Sequence, residues 1–456
     1  MTLTTLLIYI GLAALALTGI THFVLRATRN VGMSLLQNFV GALFLFSGYV
    51  KAIDPLGTAY KMEQYFAEFE ATANGAGAAF LAPVFPWLNE FAVGFSVFMI
   101  VLEIMLGFML ILGAKPRLTG WLLFPIIAFF TVLTGFTYLT GYVPSGSNFF
   151  AFGDWGPYTD TNMKVTDCGC FGDFLKLEPR VSFLKDVALL IPAVIFLLAP
   201  GKLHRLFTYR TRTLAIVAAG TISVFYCLSN FVWDIPHQDF RPFKVGTDVA
   251  ARKQAESDAA AAVTVLGYEL TNKANGEVVR MTTDEFLKVY KDYPEEAWVI
   301  DNFTSEPTLE ATKISEFEVS DAEGYDVVPD LLADPGYTFV IVAYKLKGEA
   351  GNWDEDYVEV WREDIQPVVE RAKAAGHTVM AMTKFVDDAT IEDFKRAIGA
   401  DYPFHRGDDI LLKTIIRSNP GVVLMKEGVI LNKWHHDKLP AFEDIANRDI
   451  LAASSK

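Results

Sequence analysis

The feature that most constrains this chain is the spacing of its long apolar runs. A hydrocarbon core about 30 Å thick needs roughly 20 apolar residues in a helix to cross it. Six stretches before residue 235 approach that length: 3–25, 33–52, 91–112, 117–140, 182–199 and 212–232. The fifth is the shortest and has Lys185 and Asp186 at its start. Beyond residue 235 the runs stop and the sequence becomes mixed and acidic, as in a water-soluble domain. The expected organisation is an all-α membrane bundle of six transmembrane helices over 1–235, a linker at 236–262, and a soluble α/β domain over 263–456. The run from Leu3 to Leu25 is too long for a signal-peptide core and lacks a convincing cleavage site, so it reads as a retained first span.

Basic residues beside the spans set the expected orientation. The short connections carry Arg26 and Arg29, then Lys115 and Arg117, then Lys202, Arg205, Arg210 and Arg212. The alternate connections are longer and dilute their positive charge with Asp54, Glu63, Glu68 and Glu70, or with Asp154, Asp160, Asp167 and Asp173. The short loops are therefore expected in the cytoplasm. Both termini, the loops 53–90 and 141–181 and the soluble domain are expected outside, which in a bacterial inner membrane is the periplasm. A net charge of −15 and the lack of a clustered Lys/Arg stripe argue against nucleic-acid binding. The partners implied are the lipid bilayer and exported or membrane proteins.

Charged groups inside a span are costly and are usually paired or functional. Glu103 lies near the middle of the third span, and Lys51 near the outer end of the second, one turn before Asp54 and Pro55. These three residues form a candidate polar site, either a helix–helix contact or a pocket between spans. Counted from the span ends, Glu103 and Lys51 sit at different depths, so a direct pair is not expected. Cys227, alone in the sixth span, reads as an inert buried side chain.

The other two cysteines are Cys168 and Cys170, in the run Thr166-Asp167-Cys168-Gly169-Cys170-Phe171-Gly172-Asp173 just before the fifth span. Upstream lie Phe149, Phe150, Phe152, Trp155 and Tyr158, side chains suited to the membrane–water boundary. Two cysteines around one glycine can close a small disulfide ring, and Gly169 relieves the backbone. A ring that small favours reduction, as labile and catalytic disulfides do. Lys185 and Arg180 follow and would stabilise a thiolate, while Asp167 and Asp173 would oppose it. A permanent local disulfide, a redox pair (Cys168 and Cys170 with Lys185 and Asp186) and a metal site all remain open at this point. A membrane quinone is the cofactor that a redox pair in this position would use.

The stretch Phe46-Ser47-Gly48-Tyr49-Val50-Lys51-Ala52-Ile53-Asp54-Pro55 resembles the second-span signature of DoxX-like membrane proteins. Glu103 with Leu106-Gly107 and Leu112-Gly113 is similar to their third span, and Cys168-Gly169-Cys170-Phe171-Gly172 resembles a loop of MauE-type proteins. The segment Asp239-Phe240-Arg241-Pro242-Phe243-Lys244-Val245-Gly246 and the domain after it look like the longer DoxX-family proteins of Bacteroidetes. MauE-type proteins are implicated in disulfide-dependent maturation of an exported enzyme, and some DoxX relatives are subunits of a thiosulfate:quinone oxidoreductase. The resemblance thus implies a membrane setting and thiol chemistry, with Cys168 and Cys170 as the pair.

In the soluble part, Leu266–Met281 reads as a hairpin turning at Ala274-Asn275-Gly276, and Thr283 as the cap of a short helix through Tyr290. Strands are expected at Tyr337–Tyr344 and His377–Thr383, helices at 357–375 and 387–398, and a final hairpin over Val422–Met425 and Val429–Trp434. Strand–helix–strand–helix–hairpin is the order of a thioredoxin-like domain, and Asn419-Pro420 stands where that fold carries a cis-proline. Lys345-Leu346-Lys347-Gly348 occupies the place of its Cys-x-x-Cys, so the domain has no thiols of its own. Asn419 and Pro420 then become candidates for partner binding. His435 and His436 read as surface histidines without a metal, since neighbours on a strand point to opposite faces. Three functions are consistent with all this: a membrane thiol–disulfide oxidoreductase, a non-catalytic assembly factor or accessory subunit that docks partner proteins, or transport through the bundle with Glu103 as a polar gate.

Overall fold

The structure, a computed structural model, describes residues 2–75, 79–165 and 168–450. It divides into two units, Met1–Phe240 and Arg241–Lys456. Asp167, expected to oppose a thiolate, lies outside the described residues.

In chain order the first unit contains α1 (Leu3–Val24), α2 (Val31–Ile53), α3 (Pro55–Gly75), α4 (Val84–Glu90), α5 (Ala92–Leu112), α6 (Pro116–Thr140), α7 (Pro179–Leu198) and α8 (Tyr209–Ser229). All except α3 and α4 are long and apolar enough to cross a membrane, six among the described residues. Asn30 caps α2 and Thr208 caps α8 through their side-chain oxygens, and Pro116 and Pro179 sit in first turns, where a missing N–H costs nothing. Glycines let α2 and α5 touch. A Cβ on Gly48 would fall 2.6 Å from Ile104 Cγ1 and 3.2 Å from the Ile104 nitrogen. One on Gly107 would fall 2.9 Å from the Gly41 oxygen. Backbones this close are the small-residue packing of membrane helices.

The short connections meet at one end of the bundle. Arg29 donates to the Gly201 carbonyl at 2.7 Å. Gln37 donates to the Leu110 carbonyl at 2.6 Å and accepts from the His204 N–H at 3.1 Å. At the other end, α3 packs against the last turns of α6 and the loop after it, with the Tyr65 and Thr137 hydroxyls 2.6 Å apart and Asn148 donating to the Thr72 carbonyl at 2.9 Å.

The second unit opens with α9 (Val249–Ala261), capped by Asp248, inside the stretch assigned above to a linker. Glu256 of α9 is 2% exposed and accepts from the Arg252 guanidinium, the Thr312 N–H and hydroxyl and the Ser315 N–H. A run with six alanines is a strong helix former, and here it has a buried carboxylate to hold it down. Next come β1 (Val265–Asn272), β2 (Val278–Thr282), α10 (Thr283–Val289) and β3 (Trp298–Thr304). They form a three-stranded antiparallel sheet in the order β2-β1-β3. The cap of α10 is Thr282, in a capping box with Glu285, one residue before the Thr283 expected.

The elements that follow are β4 (Val319–Ser320), α11 (Val328–Ala333), β5 (Tyr337–Ala343), the short ribbon β6 (Gly348–Glu349) and β7 (Asn352–Trp353), α12 (Glu355–Val360), α13 (Gln366–Ala374), β8 (Thr378–Lys384), α14 (Asp388–Ile398), β9 (Phe404–Gly407), α15 (Asp409–Ile415), β10 (Gly421–Lys426), β11 (Val429–His435) and the short α16 (Phe442–Ile445). A π-helical turn, Trp361–Ile365, joins α12 to α13. The six-stranded sheet runs β11-β10-β5-β8-β9-β4, with β5, β8 and β9 parallel and the others antiparallel to their neighbours. All seven residues of β5 are buried, as its unbroken apolar run requires of a central strand. Trp361, Tyr357, Phe394 and Phe339 fill the core between this sheet and the helices. β9 and α15 lie between the expected second helix and the final hairpin and were not anticipated.

Candidate functional site

An open cavity lies among α2, α3, α5, α6, α7 and the cysteine loop. Its walls include Cys168, Gly169, Cys170, Lys51, Glu103, Lys185 and Asp186, together with Ser47, Lys61 and Thr134. Six of the residues singled out from sequence thus face one space. They come from four separate stretches of chain.

Lys51 Nζ lies 2.6 Å from Glu103 Oε1, and both side chains are almost fully buried. This overturns the expectation that the two sit at different depths. The count from span ends assumed that α2 and α5 end level with one another. In fact Gly48 abuts Ile104, so Lys51, one turn further along α2, stands opposite Glu103. The ammonium also lies 4.6 Å from the centre of the Phe130 ring. The Ser47 hydroxyl is 3.1 Å from Glu103 Oε2 and 3.0 Å from the Cys170 carbonyl, so it lies between the ion pair and the cysteine loop and can donate to either.

Lys185 and Asp186 form a second ion pair, and the Thr134 hydroxyl donates to Asp186 Oδ2 at 3.0 Å. They lie about two turns into α7, which starts at Pro179 just after the cysteine loop. Two buried pairs, each with an extra hydroxyl, satisfy the rule that a charge leaving water needs a counter-charge and hydrogen bonds. Desolvation pushes the Cys170 thiol up from the ordinary thiol range, Lys185 and Lys51 pull it down, and Asp186 and Glu103 push it up.

Gly169 adopts φ +60, and a Cβ there would come 3.1 Å from Lys61 Cγ, so the loop turns tightly beneath α3. Thr58, Lys61 and Met62 make α3 a wall of the cavity, a role the sequence reading did not assign. The signal was present. Leu56, Ala59, Met62, Phe66 and Ala73 are buried at helical spacing along the 53–90 connection. Asp54, grouped with Lys51 and Glu103 above, instead accepts the Gly57 N–H at 3.0 Å where α2 gives way to α3 and does not line the cavity.

In the second unit the Asn419–Pro420 peptide is cis. Pro420 is buried, and Asn419 Nδ2 donates to the Lys345 carbonyl at 2.7 Å, tying the proline loop to the chain leaving β5. The surface assignment of the two histidines needs correction. β11 ends at His435 and a 3-10 turn begins, so the alternation of a strand no longer applies. The two rings lie 4.2 Å apart and His435 is 3% exposed. Compared with known proteins, the chain matches no family model, no curated protein and no solved structure.

Proposed function

We propose that this protein is a membrane thiol–disulfide oxidoreductase whose Cys168–Cys170 pair works at the mouth of the bundle cavity. The observation that carries this is the convergence of both cysteines with two buried ion pairs on one opening. A purely structural disulfide would need neither the cavity nor the charges. The resemblance of the second and third spans to DoxX-like proteins, and of the cysteine loop to MauE-type proteins, supports the same reading. The three short basic connections gather at one end, so the positive-inside rule assigns that end to the cytoplasm and the cavity mouth to the periplasm of a bacterial inner membrane.

In the exchange step, a thiolate of the reduced pair attacks a disulfide of an exported protein. A mixed disulfide forms and one partner sulfur leaves as a thiolate. The second cysteine then attacks the mixed disulfide, closing Cys168–Cys170 and releasing the partner reduced. In the oxidising direction the same steps run backwards, and a membrane quinone, when bound, would supply the two-electron, two-proton oxidation that re-forms the disulfide. The Ser47 hydroxyl, between Glu103 and the Cys170 carbonyl, would hold the cysteine loop against the Lys51–Glu103 pair during these steps.

The second unit supports a role in holding the partner. Its parallel β5–β8 pair, its final hairpin and its cis peptide before β10 fit a thioredoxin-like domain, with β9 and α15 as an insertion. Lacking cysteines, such a domain would bind rather than react. That lack is also what favours the second reading, a non-catalytic assembly factor.

The test is to trap the intermediate. Cys168→Ser and Cys170→Ser variants, expressed singly and acid-quenched, are expected to accumulate a mixed disulfide with exported proteins, because the resolving thiol is gone. If neither variant forms one, and the double variant leaves exported thiols as oxidised as in the parent, the assembly-factor reading replaces this one.

A further inference from the structure

The short helix α4 carries an apolar face that the bundle does not use. Its seven residues include Val84, Phe85, Trp87 and Leu88, yet none of them is buried. Phe85 and Leu88 turn toward α3 and pack on the cluster around Met62, Tyr65 and Phe66, with the Phe69 and Phe85 rings 5.8 Å apart. Val84, Trp87 and Phe91 point elsewhere. They recur every three or four residues, the spacing of a single helix face, and the Trp87 and Phe91 rings lie 5.2 Å apart. All three are exposed, as is Phe80 in the turn before α4. Asn89 and Glu90 take the remaining side of the helix.

What covers this face follows from its neighbour. Phe91 both ends α4 and caps the start of α5. From there the exposed residues Phe91, Gly94 and Phe98 run along one side of α5, which is long and apolar enough to be a span. The outward side of a span meets lipid, so the stripe on α4 continues a lipid-facing surface without a break. Between Phe80 and Phe98 the only charged residue is Glu90, and it stands off the stripe. A tryptophan on such a face suits the headgroup boundary, where the indole buries its ring and keeps its N–H wet. Length argues the same way. An isolated helix shorter than about 12–15 residues is marginal in water, so the few residues of α4 need cover on more than one side.

We propose that α4 is an interfacial anchor, with Phe80, Val84, Trp87 and Phe91 seated among the lipids of the leaflet nearest the cavity mouth. This holds whether or not the cysteines react. Its consequence falls on α3, which lines the cavity through Thr58, Lys61 and Met62 and packs on α4 through the same cluster. A lipid-seated α4 ties that wall of the cavity to the membrane surface.

The experiment uses the full chain with Cys168→Ser, Cys170→Ser and Cys227→Ala, reconstituted in phosphatidylcholine vesicles. Val84→Cys and Asn89→Cys are each labelled with an environment-sensitive fluorophore. The label at position 84 should emit as in an apolar medium. Lipids with a nitroxide near the headgroup should quench it more than lipids with one at mid-chain, since an interfacial face sinks only about 5–10 Å. The label at position 89 should emit as in water and be quenched by iodide. Iodide quenching at position 84 equal to that at position 89 overturns the proposal. A label at position 84 that neither iodide nor nitroxide reaches overturns it too, because protein, such as a second copy of the chain, then covers the face. Should Val84→Cys fail to insert, Trp87→Cys carries the label and is read by the same criteria.

Discussion

The Cys170 thiol stands among two cations and two anions in a desolvated corner, and the balance of these influences sets when it can react. Desolvation is the largest and raises its pKa, and Lys185 is the largest opposing influence. Only the thiolate is nucleophilic, so the sign of the pH dependence follows. With disulfides reduced and Cys168 changed to Ser, alkylation of Cys170 should be slow at neutral pH and accelerate with a midpoint above that of an exposed thiol. Lys185→Met should move the midpoint up, and Asp186→Asn should move it down. Mass spectrometry of the alkylated peptide across a pH series measures each shift, and a midpoint below an exposed thiol's would contradict the geometry. The same corner shows what sequence could and could not convey at this scale. That Lys51, Glu103, Lys185 and Asp186 matter was legible, because each is a charge in or beside an apolar run. Which charge meets which was not, because pairing depends on where two helices touch. Breaking either pair would strand a buried charge, at a cost of about 3–5 kcal/mol, which is reason enough for the partners to be retained together.

Helices α2 and α5 owe their register to small residues, and that register delivers Lys51 to Glu103. Gly48 is the tightest point, with the Ile104 backbone nitrogen only 3.2 Å from where a Cβ would stand. A backbone atom cannot swing aside as a side-chain tip can. Gly48→Val should therefore push the helices apart, costing about 1–3 kcal/mol by overpacking. It should also lengthen the Lys51–Glu103 pair and expose the cavity. The check is a lower melting temperature in detergent together with faster alkylation of Cys170. A variant as stable as the parent would show that the contact does not set the register. Elements governed by hydropathy alone were legible from sequence, and the six long helices fall within a few residues of the expected ranges. Elements whose burial comes from distant partners were not. α3 was hidden inside a polar loop, and α9 looked like a linker until Thr312 and Ser315 were seen to saturate Glu256. β9 is only four residues long, too short for a periodicity to declare itself, and it owes its place to pairing with β8 and β4.

At the scale of the whole chain, the governing argument is charge asymmetry across the bundle. Arg26, Arg29, Lys115, Arg117, Lys202, Arg205, Arg210 and Arg212 belong to connections that meet at one end, tied by the Arg29–Gly201 and Gln37–His204 contacts. The cysteine loop, α3 and the cavity mouth belong to the other. A translocation machinery that retains positive charge would insert all six spans one way, with no connection in conflict. Two glycines make clean reporters, because a Cβ on either Gly153 or Gly201 meets nothing within 4 Å, and both are exposed. Neither change removes a basic residue. In a background lacking the native cysteines, Gly153→Cys should react with a membrane-impermeant maleimide in cells whose outer membrane alone is permeable. Gly201→Cys should react only after the inner membrane is broken. The reverse pattern would put the cysteine pair in the cytoplasm, where glutathione would hold it reduced, and disulfide exchange with exported proteins would lose its setting. Labelling of both sites before lysis would mean a mixed topology, which eight basic residues on one end make energetically the poorer arrangement. The orientation therefore decides more than an address, because a Cys-Gly-Cys pair can be reoxidised and reused only on the side where its partners carry disulfides.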